Sequence, residues 1–509
     1  VAAALFAWLQ SGSQNVCCGD FDGYYHLRWS SLLWAGLCRG HLPAFRWLPL
    51  TSLNPSRYAD QHFLYHLLLI PFTWFQDLAL GGKVAAALFG SFALCSCLWL
   101  ILRYRIPLAP WWFVALLGSS ALFLYRMSMT RAQSLSLIFL MAGIALLFES
   151  KYRWLALLAF FYVWTYNLFV VLGLLVLLWE VAGWWAESRF EWRSIAWTAA
   201  GMAAGLILNP YFPNDVLLLW QHVVARGLQG GVDQSIGAEW SPISSWLLLK
   251  SSFIAFLAMV AGYMAFGYVA ACGNRSRMRR SLFMLLLASV LMVATVRWRR
   301  FAEYWPATAV LFAAFTFQTL QETQNRRREA RERANKGAIA DAGRAIVDQG
   351  RVHVSKAVVA LAVCLLLGGT GYQAWVARQI IATSVNPNEY RGGTQWLISH
   401  VPPNDIIFNT AWEDFPKLFY YDQVHAYVTG LDPLYLRNGN RSLSDLYTRI
   451  VNGQESHAAP HVRDSFRARY VFVSALSNPQ FGTNAMVSGE FEPVYADSDC
   501  MVLKVREAQ

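Results

Sequence analysis

The sequence predicts a polytopic α-helical membrane protein that carries a C-terminal α/β domain outside the membrane. Three observations predict it. Apolar runs recur between residues 83 and 377, each near the length of about 20 residues that a helix needs to cross a bilayer. The composition is 56% apolar and 14% charged, against about 45–50% and about 25% in soluble domains. Residues 383–509 then change character and become polar, Pro-punctuated and mixed in pattern.

The elements follow in order. The chain opens at Val1 inside an apolar stretch too short to span. Residues 1–11 therefore read as the tail of a first membrane helix that begins before Val1. Residues 12–82 read as a first outer loop. Within it, Tyr24 to Leu37 sets aromatic, leucine and polar residues at helical spacing, the pattern of a helix lying in the membrane interface. Pro43, Pro49 and Pro55 break the next stretch into extended pieces. The run 62–78 holds His62, His66 and Pro71 and reads as a segment that dips into the membrane without crossing. Further spans are expected at 83–103, 107–126, 131–149, 152–166, 167–186, 193–209, 246–272, 281–297, 301–320 and 356–377, which makes about 11–13 membrane helices in all. An outer loop at 210–245 and a charged cytoplasmic segment at 321–355 separate groups of spans. These spans and loops form a membrane domain over 1–382, followed by a soluble α/β domain over 383–509. In that domain Ile406 to Asn409, Tyr470 to Val473 and Met501 to Val505 read as strands.

The net charge is +11, but the cations cluster in short loops between apolar runs. That is the positive-inside pattern of a bilayer partner and not a nucleic-acid footprint. Asn274 to Arg280 holds four Arg, and Arg326 to Lys336 holds six basic residues; both are expected in the cytoplasm. The C-terminal domain and the first loop then lie outside, as expected for a multi-pass protein of the plasma (inner) membrane with a periplasmic or extracellular domain. The eight Cys form no Cys-x-x-Cys pair, so no zinc ribbon is expected. Gly-x-Ser-x-Gly, phosphate-cradling glycine loops and His-Glu-x-x-His are all absent from the sequence.

The chemistry-bearing residues sit in the outer loops. Asp20 and Asp22 stand one residue apart, ahead of Tyr24, Tyr25, His26 and Arg28. An Asp there suits a helix N-cap; it also suits a metal ligand or general base at the water boundary, with Arg28 near a phosphate. Arg297, Arg299 and Arg300 fall on the side read as outer, against the positive-inside rule, which points either to an anion site or to an inverted topology at this loop. Their planar forks fit a phosphate, and Glu303 and Tyr304 follow closely enough to orient them. Glu239 precedes a span and reads as a surface acid unless the fold brings it to Asp22. Arg126, Arg131 and Gln133 share a short loop and suit either snorkelling or anion binding.

These stretches resemble a known family. Asp22-Gly-Tyr-Tyr-His-Leu-Arg28 resembles the first-loop motif of the oligosaccharyltransferase catalytic subunits, which are membrane glycosyltransferases of the GT-C class. Ser235-Ile-Gly-Ala-Glu239 is similar to that family's Thr-Ile-x-Glu segment with one extra residue. Arg300-Phe301 is similar to its phosphate-side Arg, and Trp412-Glu-Asp-Phe415 resembles its Trp-Trp-Asp-Tyr acceptor motif. Two departures stand out. Gln133 occupies the place of the second acidic motif, and Glu413 and Pro416 replace a Trp and a Gly.

The resemblance implies transfer of a sugar or oligosaccharide from a polyprenyl-phosphate or polyprenyl-pyrophosphate donor to a protein or glycan acceptor at the outer face. Asp22 and Glu239 would be the catalytic acids and would hold a divalent cation, Mg²⁺ or Mn²⁺, although Gln133 puts the metal in question. Arg300, Arg297 and Arg28 would bind the donor phosphate, and Trp412 and Asp414 the acceptor. The alternatives are a non-catalytic scaffold subunit whose outer domain binds a partner, and a transporter.

Overall fold

The computed structural model describes residues 1–16, 21–221, 238–272, 275–339, 356–383 and 386–506. Asp20 lies outside the described residues. Among those described, five helices are long and apolar enough to cross a membrane: Leu78–Arg103, Asn167–Glu187, Phe253–Cys272, Arg279–Arg297 and Val359–Ala382. Phe89, Leu94, Leu172 and Leu291 of these helices share one core with Ile144 of Gln133–Phe148 and Phe312 of Trp305–Ile339. Their outer faces leave Phe92, Trp99, Leu177, Trp184, Leu257, Met264 and Leu365 exposed, an apolar belt too extensive for water and suited to lipid.

Serines divide two of the expected spans. Residues 107–126 form two helices, Ala109–Leu117 and Ala121–Met127. The Ser119 hydroxyl bonds back to the Leu116 carbonyl, and Ser120 caps the second helix through the Phe123 amide. Short hydroxyl side chains that bond the backbone compete with helix continuation in this way. Ser251 and Ser252 likewise separate Ser245–Ser251 from Phe253–Cys272. Conversely, Trp305–Ile339 runs as one helix from the expected span 301–320 into the charged segment.

The segment expected to dip is the short apolar helix Phe63–Trp74. At 1.5 Å per residue it reaches roughly 18 Å, well short of a hydrocarbon core of about 30 Å. The helix expected in the interface is Asp22–Leu37, and there the structure corrects the sequence reading. Tyr24, Tyr25, His26, Leu27, Trp29 and Leu33 are buried, because this helix is clamped between Phe63–Leu69 and the C-terminal-domain helix Phe415–Tyr421.

The C-terminal domain, expected on the outer side, is built on a five-stranded sheet: β1 (Ile406–Asn409), β2 (Ala426–Tyr427), β3 (Ala468–Ser474), β4 (Phe491–Ala496) and β5 (Cys500–Val505), in the order β2-β1-β3-β5-β4. β2, β1 and β3 are parallel, while β5 runs antiparallel to β3 and to β4. The sequence signalled β1, β3 and β5; β2 is two residues long, and Pro493 interrupts β4. Side chains alternate across the sheet. Phe408, Val471, Val473 and Leu503 pack under the domain's own helices. Ile407, Phe472 and Val502 share a core with Trp29, Phe45, Trp47 and Tyr58 of the first loop. One face of the sheet side thus docks on the first loop, and backbone bonds fix the register: Tyr427 donates to the Trp47 carbonyl at 2.8 Å and Ser52 to the Tyr435 carbonyl at 2.8 Å.

Candidate functional site

Segments distant in sequence converge on a cavity of about 370 Å³ at the ends of the spans nearest the sheet domain. Asp22 enters at the first turn of Asp22–Leu37. Arg131 comes from the loop after Ala121–Met127. Tyr166 and Asn167 come from a break between helices, where Tyr166 is extended (φ −158°, ψ 136°). Glu239 sits on the single turn Ala238–Trp240. Arg300 sits on the turn Arg299–Glu303, reached through an extended Trp298. The Arg299 amide donates to the Ser241 carbonyl at 3.2 Å and ties these two turns together.

The polar groups form one network. Arg131 pairs with Asp22 and, through Nη1, with Glu239 Oε2 at 3.0 Å. Arg300 Nη1 donates to Glu239 Oε1 at 3.0 Å, and its Nη2 to the Tyr166 hydroxyl at 2.7 Å and Asn167 Oδ1 at 3.2 Å. Arg126 approaches Glu239 at 3.4 Å and pairs with the buried Glu303 at 2.8 Å. Three guanidinium groups therefore meet three carboxylates. Burial pushes the Glu239 carboxyl up, but Arg300, Arg131 and Arg126 outweigh it and hold the group below the usual carboxylate range. Arg300 lies over the rings of Tyr166 and Trp240, about 5 Å from each centroid, and its buried Nε has no acceptor among the described residues. One buried N–H of Arg300 is thus unpartnered among the described residues, while the residue itself lines the cavity.

A second network lines the same cavity. Asp60 accepts from Trp29 Nε1 at 2.9 Å, from the His62 amide at 2.9 Å and from His66 Nδ1 at 2.6 Å. His66 Nε2 is in turn 2.7 Å from His26 Nδ1. His26, Asp60 and His62 all face the cavity.

The structure brings Asp22, Glu239 and Arg300 together, as the resemblance implies, with Arg131 between the two acids. It does not bring the others. Arg297 is exposed at the end of Arg279–Arg297 with its guanidinium over Trp298, because the chain turns at Trp298 and sends only Arg300 inward. Arg28 is spent on docking: Nε donates to the Tyr420 carbonyl at 2.9 Å and the group lies over the Tyr420 ring. Trp412 and Asp414 are absent from the cavity wall. Asp414 is buried inside the C-terminal domain, accepting from Tyr390 and Ser477 at 2.8 Å each. Gln133 folds back to donate to the Arg126 carbonyl at 2.8 Å and so shapes the Arg126–Arg131 loop. Glu303 orients Arg126, not the arginines of its own turn.

As arranged, Asp22 and Glu239 do not fit a divalent cation. Mg²⁺ and Mn²⁺ need several free oxygen ligands, and here the position between the two carboxylates is filled by the Arg131 guanidinium. Among the described residues no cluster of three or more His, Cys, Asp or Glu could hold a metal.

No family model and no curated protein sequence matches the chain. Solved structures do match. The apo oligosaccharyltransferase of Archaeoglobus fulgidus superposes with a TM-score of 0.66 at 12% identity, over 95% of this chain and 70% of that one. The same organism's AglB, in complex with an inhibitory peptide and a dolichol-phosphate, gives 0.65 at 12% identity, over 97% and 71%. ArnT from Cupriavidus metallidurans, bound to undecaprenyl phosphate, gives 0.56 at 13% identity, over 99% and 96%. The chain has the GT-C glycosyltransferase fold. It is an integral membrane protein, and the sheet domain is the C-terminal part of this architecture.

Proposed function

We propose that the chain is a membrane glycosyltransferase. It transfers a sugar or oligosaccharide from a polyprenyl-phosphate or polyprenyl-pyrophosphate donor to a protein or glycan acceptor at the outer face of the plasma membrane, with the sheet domain on that side. The observation that supports this most is the Asp22–Arg131–Glu239–Arg300 bridge, set in a cavity at the ends of the spans of a GT-C fold. Two of the similar structures hold a polyprenyl phosphate.

The residues divide the work. Arg300 and Arg131 receive the donor phosphate and stabilise the charge that builds on it as the glycosidic bond breaks. Trp240, Trp298, Phe301 and Val170 give the same cavity an apolar side, which accepts the first isoprene units. Asp22 and Glu239 hold the two guanidinium groups at a fixed spacing, so that the site is set before the phosphate arrives. No step runs through a metal ion. A scaffold subunit would not need two distant acids to share one guanidinium. A transporter would need a polar path through the spans, whereas this network sits at their ends.

The test is Asp22→Asn and Arg300→Ala in a transfer assay with polyprenyl-linked donors. Both variants are expected to lose most activity, and wild-type rates in both would refute the site assignment.

A further inference from the structure

With both imidazole rings neutral, the bonds of the Asp60–His66–His26 chain set its direction. Asp60 accepts three hydrogen bonds, as an ionised carboxylate does. Burial pushes its carboxyl up, but His66 and these donors more than offset that and keep it below the ordinary value. His66 Nδ1 therefore carries the hydrogen. In the neutral ring His66 Nε2 is then an acceptor, so His26 Nδ1 must donate to it. His26 Nε2 is left with a lone pair, on a ring that lines the same cavity as Arg131 and Arg300.

We propose that His26, backed by His66 and Asp60, is the general base that deprotonates an alcohol acceptor in this cavity. The idea rests on the glycosyl-transfer function and adds the acceptor's chemical class: a hydroxyl of a serine, a threonine or a sugar. A phosphate acceptor is already ionised and needs no base. In the transfer step the acceptor O–H gives its proton to His26 Nε2 while the oxygen forms a bond to the anomeric carbon. The bond from that carbon to the donor phosphate breaks, and its electron pair leaves on the phosphate oxygen toward Arg300. His26 Nδ1–H passes on to His66 Nε2, so the positive charge comes to rest beside Asp60 and not at the cavity wall.

The surroundings keep His26 unprotonated before reaction. Burial, and then the neighbouring His66, lower its pKa well below the ordinary histidine value. The charged and titratable groups around it are Asp22 and Tyr25 on its own helix, Tyr65 and His66 on Phe63–Leu69, and Asp60 and His62 before that helix. Beyond them, Lys417 of the C-terminal domain is neutralised by Glu389 at 2.7 Å, Lys83 of the next span is bonded to the Ser13 carbonyl, and Arg131 and Arg300 line the same cavity. The base is therefore kept through neutral pH, and the transfer rate is expected to fall only at a pH well below the ordinary histidine range, as His26 takes up a proton.

The experiment uses the full chain in detergent, a polyprenyl-phosphate or polyprenyl-pyrophosphate hexose, and three acceptors: a Ser/Thr peptide, an Asn peptide and an oligosaccharide. His26→Gln should lower kcat about 100-fold or more and abolish the acidic limb of the pH profile, with donor affinity unchanged within about threefold. In His26→Ala, added imidazole should restore part of the rate. His66→Asn and Asp60→Asn should each lower kcat while the donor still binds. Wild-type kcat in His26→Gln, loss of donor binding together with kcat, no rescue by imidazole, or transfer only to the Asn peptide would each overturn the proposal. Absence of both donor binding and transfer in the wild type would instead remove the glycosyltransferase function itself, and the proposal with it.

Discussion

Arg300→Ala gives the sharpest test of how the cavity holds its donor. In the wild type, Arg126, Arg131 and Arg300 balance Asp22, Glu239 and Glu303, so the network is neutral before a phosphate enters. Removing Arg300 leaves it at a net charge of −1 and takes away a fork whose Nε has no acceptor. A unit charge about 5 Å from a phosphate is worth roughly 3 kcal/mol at an effective dielectric of 20. A hydrogen bond to a charged group is worth about 1.5–3 kcal/mol. The two overlap and the cavity is open to water, so a net loss of about 2–3 kcal/mol is expected, or roughly a 30- to 150-fold weaker donor. Glu239 keeps Arg131 and Arg126 as partners, so the fold survives. Arg300→Lys restores the charge without the fork and should recover only part of the affinity. Titration of the purified protein with a polyprenyl-phosphate donor at two salt concentrations measures this. A dissociation constant changed less than threefold in a folded Arg300→Ala protein would refute the phosphate role.

Three further outcomes are expected. Burial pushes the Asp414 carboxyl up to about 7 from 3.8, so the fold favours the neutral acid; the stability this contributes is complete below pH 3.8 and is lost as pH rises to about 7. The loss is roughly 4 kcal/mol, Asp414→Asn should remove that slope from a thermal-unfolding series, and an unchanged slope would count against it. Trp47→Ala deletes a ring packed 4.8 Å from Phe419 and the bond to the Gln423 carbonyl, and should destabilise outer-domain docking by about 3–5 kcal/mol, seen as a lower Tm and faster proteolysis between the domains. Because Arg131 stands between Asp22 and Glu239, chelation of divalent cations should leave the transfer rate within about twofold; abolition by chelator and recovery with Mn²⁺ would refute that placement.

The membrane class, the polar C-terminal domain and the choice of Asp22, Glu239 and Arg300 as residues to watch were all legible in the linear chain. Apolar length and acids stranded in outer loops are properties of short windows, and a linear chain displays them. Tertiary structure alone decided the rest. Arg28, Arg297 and Arg300 look alike in the sequence, yet one docks the outer domain, one faces outward and one reaches the cavity, because a single extended residue, Trp298, redirects the chain. Arg131 was as consistent with snorkelling as with an ion site until Glu239, 108 positions away, closed on it. His26, His66 and Asp60 stand apart in an unremarkable loop, and their relay exists only because Phe63–Leu69 folds back against Asp22–Leu37. Hydrogen-bonded networks among distant segments depend on relative placement to within a fraction of an ångström. Composition and periodicity carry no such information.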